Sequence, residues 1–171
     1  AAARQAVDAA VAPAAAKPGL RARLEAVAKK AGQAKKAAAA AAADRAVADL
    51  KAALAADQAL ADKKVIVMEV GIGLDTKAIK NVLEVVSEAN PDAAFLGVSK
   101  DEESGKMLAF ASVPEALVGE GLKAGDWVAA ALAPCGGRGG GKPTLAQGQA
   151  PSADKLPEAL RAAEDFAAAA V

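Results

Sequence analysis

The stretch "CGGRGGGKPTLAQGQ", residues 135–149, holds the residue types that could do chemistry. Five glycines and two cations, Arg138 and Lys142, fill Gly136 to Lys142. Backbone N–H groups free of side chains, set beside fixed positive charge, are what a phosphate or other anion needs. Gly136, Gly141 and Lys142 also occupy three fixed positions of the G-x-x-x-x-G-K-[ST] nucleotide loop. That loop must follow a strand and open a helix, so that the helix dipole meets the phosphates. Here the preceding segment reads as helix, Pro143 replaces the magnesium-holding hydroxyl, and "TLAQGQ" is a poor helix start. "GIGLDT", residues 71–76, fails as a dinucleotide fingerprint because Thr76 stands in place of the third glycine. A Gly-rich run can also be a bare linker. This one lacks serine, is bounded by structured segments and carries two cations, which favours a backbone-lined anion site. Its candidates are Gly136, Gly137, Arg138, Gly139, Gly140, Gly141 and Lys142, with Lys77 and Lys80 as further cations on an earlier helix.

The residues that are missing narrow the chemistry. There is no histidine, so the commonest general base at neutral pH and the commonest metal ligand are both absent. With no tyrosine and one tryptophan, Trp127, the chain cannot build the stacking platform that single-stranded RNA binders use. A lone cysteine, Cys135, excludes an internal disulfide framework and fits a reducing compartment. No eighteen-residue window is apolar enough to predict a membrane span.

Net charge is zero, with 21 Lys/Arg against 21 Asp/Glu, yet its distribution is uneven. Residues 1–64 hold 12 cations against 6 acids, a net of +6; residues 65–171 hold 9 against 15, a net of −6. Lys17, Arg21, Arg23, Lys29, Lys30, Lys35 and Lys36 face only Glu25 in their stretch. Such clustering is either a solvated helix face or a surface that tracks phosphates.

The elements that must position these groups follow from periodicity. Leu20 to Leu60 is Ala-rich and favourable to helix, with Leu20, Leu24 and Val27, then Val47, Leu50 and Leu54, at helical spacing. A helix with so thin a stripe needs a partner, within the chain or from a second copy. Ala1 to Pro13 is one candidate, set off by the helix breakers Pro13, Pro18 and Gly19. "KKVIVMEV" predicts a strand, and Asp75 or Thr76 predicts the cap of a helix through Glu88. "AAFLGVS" and "KMLAFAS" predict a hairpin around "DEESG". "PEALVGEG" is a short helical piece, and "LKAGDWVAAALAP" a helix with Leu122, Trp127, Val128 and Leu132 inward. "TLAQGQ" predicts a short edge strand, and Leu156 to Val171 a closing helix with Leu160 and Phe166 as its main apolar contacts. The fold class is α+β: a helical, coiled-coil-like subdomain over 1–62, then a small α/β domain with a mixed sheet over 63–171.

Residues 121–150, "GLKAGDWVAAALAPCGGRGGGKPTLAQGQA", resemble the C-terminal domain of alanyl-tRNA synthetases, one of the domains appended to DHH-type phosphoesterases. The shared features are a G-x-K-A segment, a helix, a Gly-rich run, a basic residue, a proline and an Ala-Gln pair. "VGIGLDTKAIKNVLEVV" and the helical lead-in extend the likeness over nearly the whole chain. Thr144 and Leu145 depart from the Asp-Met of bacterial members. The related phosphoesterases carry a histidine after their glycines, which this chain lacks.

The resemblance implies a non-catalytic module that binds tRNA, alanine tRNA in particular, at its outer corner. It also implies a homodimer paired through the helical segment. The chain itself would need no cofactor, because ATP, magnesium and zinc would belong to upstream domains of the parent ligase. It would act in the cytoplasm or an organellar matrix. A start at Ala1 rather than Met reads as a piece of something longer. The competing function is a non-catalytic interaction subunit docked through its Ala-rich helices; a phosphoesterase is the weakest reading. Structured RNA is recognised by shape, phosphates and ribose hydroxyls, which suits cations and backbone donors better than aromatics. Given alanine, ATP and tRNA, the purified chain is expected to charge no tRNA and to hydrolyse no mischarged tRNA. Detectable aminoacyl-tRNA in an acid-gel assay would overturn this.

Overall fold

The computed structural model describes residues 17–56 and 63–171. The proposed partner segment Ala1 to Pro13 lies outside them, as do residues 57–62 at the composition boundary. Helix α1 runs from Lys17–Ala56. Pro18 and Gly19, expected as breakers, instead sit in its first turn. A missing N–H costs nothing there, because first-turn N–H groups have no partner within the helix. By packing, the chain divides into Ala1–Ala39 and Ala40–Val171. In the first unit the helix presents Leu20, 41% exposed, and Val27, 66% exposed.

The second unit takes in the end of α1 and the mixed sheet. Its strands are β1 (Val65–Glu69), β2 (Ala94–Lys100), β3 (Met107–Ser112), β4 (Arg138–Gly141) and β5 (Leu145–Ala150). The sheet order is β1-β2-β3-β5-β4, with β1 parallel to β2 and every other pair antiparallel. Its helices are α2 (Thr76–Ala89), α3 (Glu115–Glu120), α4 (Ala124–Leu132) and α5 (Leu156–Ala170). The fold is thus the expected α+β arrangement with a mixed sheet.

Two cores follow from the alternation of side chains across the sheet. Ala94, Leu96, Val98, Met107, Ala109 and Ala111 face α3, α4 and α5. Ile66, Phe95, Leu108 and Phe110 face α2 and the end of α1, with Ala43, Leu50 and Leu54 buried among them. Leu50 and Leu54 therefore serve the chain's own core, and the packed unit starts well before residue 63.

Local chemistry explains the element ends. Asp75 caps α2, its Oδ1 accepting from the Lys77 N–H at 2.9 Å. Gly97 lies beneath the ring of its cross-strand partner Phe110, which stands 2.5 Å from where a Cβ would be. Helix α5 buries Ala159, Ala163 and Ala167, while Leu160 and Phe166, expected to dominate, are only partly buried at the margin. Small side chains let α5 come close enough for the buried Trp127 Nε1–H to donate to the Ala163 carbonyl at 2.7 Å. Leu54→Asp should unfold the second unit, since it puts a carboxylate among apolar groups without a partner. Leu20→Asp, outside that unit, should leave the second unit's unfolding midpoint unchanged. Urea unfolding followed by circular dichroism checks both.

Candidate nucleic-acid interface

The Gly-rich run is a strand and not a loop. After α4, a 3₁₀ turn over Ala133–Cys135 ends at Gly136, whose φ of 64° is the left-handed cap that a Cβ disfavours. Gly136 N–H donates to Ala133 O at 3.1 Å and Gly137 N–H to Leu132 O at 3.0 Å. The chain then extends as β4, the sheet's edge, and returns through Pro143 and Thr144 into β5. Strand β5, expected at the edge, lies inside, between β3 and β4. Lys142 and Leu145 exchange both backbone bonds, at 2.8 and 3.2 Å, which closes the hairpin.

This changes what the glycines do. Among Gly136 to Gly141, only Gly136 has positive φ. A Cβ on Gly139 would stand 2.5 Å from Val128 Cγ1 on α4, and one on Gly148, its partner across the hairpin, 2.6 Å from Leu132 Cδ1. Gly137 and Gly141 are closed in the same way by Ala150 and Ala146. Gly139 and Gly148 let the helix lie directly on the hairpin, where a side chain would hold it off. Gly140 differs, because nothing lies within 4 Å of its would-be Cβ. The ladder also splits the N–H groups. Arg138, Gly140 and Lys142 direct theirs to β5, so Gly139 and Gly141 direct theirs to the open edge. A strand cannot converge successive N–H groups on one anion as a loop does.

The face of β4 and β5 that α4 leaves free is the other half of the site. Helix α2 and the end of α1 cover this side of the sheet as far as β3, where Leu108 and Phe110 are buried. Beyond β3 it is bare. Gln149, Gln147 and Leu145 on β5, with Arg138 and Gly140 on β4, are all exposed, Leu145 at 50%. Arg138 pairs across with Gln149, and Gly140 with Gln147. No hydrogen bond or ion pair to another described residue engages the side chains of Arg138, Lys142, Gln147 or Gln149. None of these residues is acidic, although residues 65–171 carry a net of −6.

Lys80 stands one turn before Leu83 and two before Ser87 on α2, and those two line an open groove against Thr144 and Leu145. Lys80 itself is exposed and does not line that groove. Lys77 shares the solvent side of α2 with Asn81, Glu84 and Glu88, so the fold does not bring it to the other candidates. Gln147, Gln149 and Leu145 were absent from the sequence candidates. The alternation exposed–buried–exposed in "LAQGQA" was the available signal, but only the sheet order shows that its outer face is uncovered. Among the described residues no group of three His, Cys, Asp or Glu could hold a metal ion. No helix among them is long and apolar enough to cross a membrane.

Residues 62–169 match the DHHA1 domain family. The chain is similar to the cytoplasmic alanine–tRNA ligase of Drosophila melanogaster, 41% identical over 93 residues, which are 54% of this chain and 10% of that protein. It is 36% identical over 100 residues to the alanine–tRNA ligase of Synechococcus elongatus, covering 58% of this chain and 11% of the other. The matched part therefore spans about a tenth of each relative's length. The C-Ala domain from Aquifex aeolicus alanyl-tRNA synthetase aligns with a TM-score of 0.48 at 20% identity, over 60% of this chain and 86% of that one. The likeness read over nearly the whole chain is thus matched from residue 62 onward, after helix α1.

The glycines are expected to separate by experiment. Gly139→Val forces Val128 aside and should destabilise the second unit by about 1–3 kcal/mol, the usual cost of overpacking. Gly140→Ala should change stability by less than about 0.5 kcal/mol. Thermal unfolding of the two variants beside the wild type measures the difference.

Proposed function

The chain belongs to the DHHA1 domain family, and on that premise we propose that it is a non-catalytic tRNA-binding and dimerisation module of an alanine–tRNA ligase. The observation that carries this reading is the bare β4–β5 face, where Arg138 and Lys142 stand free of ion pairs and no acid intervenes. The chain's similarity to alanine–tRNA ligases of an insect and a cyanobacterium supports tRNA as that nucleic acid. The module holds the outer corner of alanine tRNA, while aminoacylation and editing are carried by other parts of the ligase. It needs no cofactor of its own. Gly136 and Gly137 shape the entry to β4, Gly139 and Gly141 offer edge N–H groups, and Lys80 adds charge from α2; Lys77 contributes least.

Homodimerisation uses the first unit, where Leu20 and Val27 leave apolar surface exposed on a helix. Sedimentation equilibrium of a Leu20→Asp/Val27→Asp variant, with loss of the dimer expected, tests that part. With one buried free thiol at Cys135, the chain suits the reducing cytoplasm or an organellar matrix.

A titration with alanine tRNA and an unrelated tRNA, at two salt concentrations, tests the RNA reading. Arg138→Ala/Lys142→Ala should weaken binding and lower the salt slope by about one per cation removed. The loss should be similar for both tRNAs, because phosphate contacts carry little sequence information. A double variant that binds like wild type would move the contact to the basic stretch Lys17 to Lys36. A wild type that binds neither tRNA would favour an interaction subunit docked through its Ala-rich helices.

A further inference from the structure

We propose that Gly140 and Gln147 form a ribose-recognition subsite, which makes the β4–β5 face prefer RNA to DNA of the same sequence. This rests on the reading of that face as an RNA contact and names what it reads. Gly140 starts the argument because the fold does not account for it. Gly136 has positive φ, and Gly137, Gly139 and Gly141 are closed in by neighbouring atoms. Gly140 has ordinary φ and open space where its side chain would be. A bare Cα there leaves room for a group that approaches from solvent.

The surroundings define the ligand. Gln147 is the cross-strand partner of Gly140, exposed and without a side-chain partner among the described residues. Its amide both donates and accepts. A phosphate oxygen only accepts, but a ribose 2′-hydroxyl does both, and it is the group that distinguishes RNA from DNA. Phosphates have their own partners in Arg138 and Lys142. Each lies two residues from Gly140 on the same face of the strand, about 6.6 Å away. Cations on both sides of a flat, neutral, hydrogen-bonding centre suit a sugar–phosphate strand lying along β4. No aromatic side chain offers a stacking platform on this face: Trp127, Phe95 and Phe110 are fully buried.

The test uses the full chain, with an alanine-tRNA transcript and DNA of identical sequence, titrated by fluorescence anisotropy at two salt concentrations. Wild type should prefer the RNA. Gly140→Val, Gly140→Ala and Gln147→Ala should each weaken RNA binding, by about three- to tenfold where one neutral hydrogen bond is lost. For Gln147→Ala, DNA binding, salt slope and unfolding midpoint should stay unchanged; the Gly140 variants, which crowd any sugar–phosphate strand on β4, should also leave the salt slope unchanged but reduce the preference for RNA. Arg138→Ala/Lys142→Ala should weaken both nucleic acids and flatten the slope. If the Gly140 and Gln147 variants keep the RNA preference while the cation variant loses binding, the ribose subsite is overturned and the RNA-binding function stands. If wild type binds no RNA, the function itself falls.

Discussion

Helix α4 can lie on the β4–β5 hairpin only because glycines leave room for it. Val128 and Leu132 occupy the space that side chains on Gly139 and Gly148 would claim. The contact is clipped at both ends: Ala124 N–H donates to Pro143 O at 2.8 Å, and Gly137 N–H to Leu132 O at 3.0 Å. The first satisfies one of the donors that every helix start leaves over. From this docking the rest follows. Trp127 is carried inward to bond Ala163, α5 is held against α4 by its alanine stripe, and β4 is paired although a run of glycine is a poor strand former.

The same packing divides labour between the two sides of the hairpin. One side is spent on α4, where Ala146 and Ala150 are buried. The other is left to solvent, because α2 and the end of α1 reach only to β3. A strand of glycines offers close approach, and one with Arg138 at its start and Lys142 just past its end adds charge. Those charges are exposed and act through a salt-screened field, so they supply affinity more than specificity. Neutral hydrogen-bonding groups at fixed positions are what would add specificity to such a face, and Gln147 and Gln149 stand exposed on it.

Much of the fold was legible. The Asp75 cap and the hairpin around "DEESG" both follow from rules that act over a few residues. The errors share a cause. The glycine run was read as a loop because local preference opposes a strand there, and packing against α4 overrode it. "TLAQGQ" was placed at an edge because strand order is invisible to local pattern. Which partner the stripe with Leu50 and Leu54 would find stayed open in the sequence, because the core they join, with Ile66 and Val82, is built from elements past residue 63.

By itself the sequence determined which groups exist and where they cluster: five glycines with Arg138 and Lys142, no histidine, and a basic first third. Composition and short-range sterics set those, and they exclude a nucleotide loop without any coordinates. Only the tertiary structure decided which glycines are filled in by neighbours, that Gly140 is not, and that Gln147 and Gln149 stand beside it. Those facts depend on Val128, Leu132 and β5 arriving from elsewhere in the chain, and long-range packing of that kind leaves no periodic trace in the residues it selects.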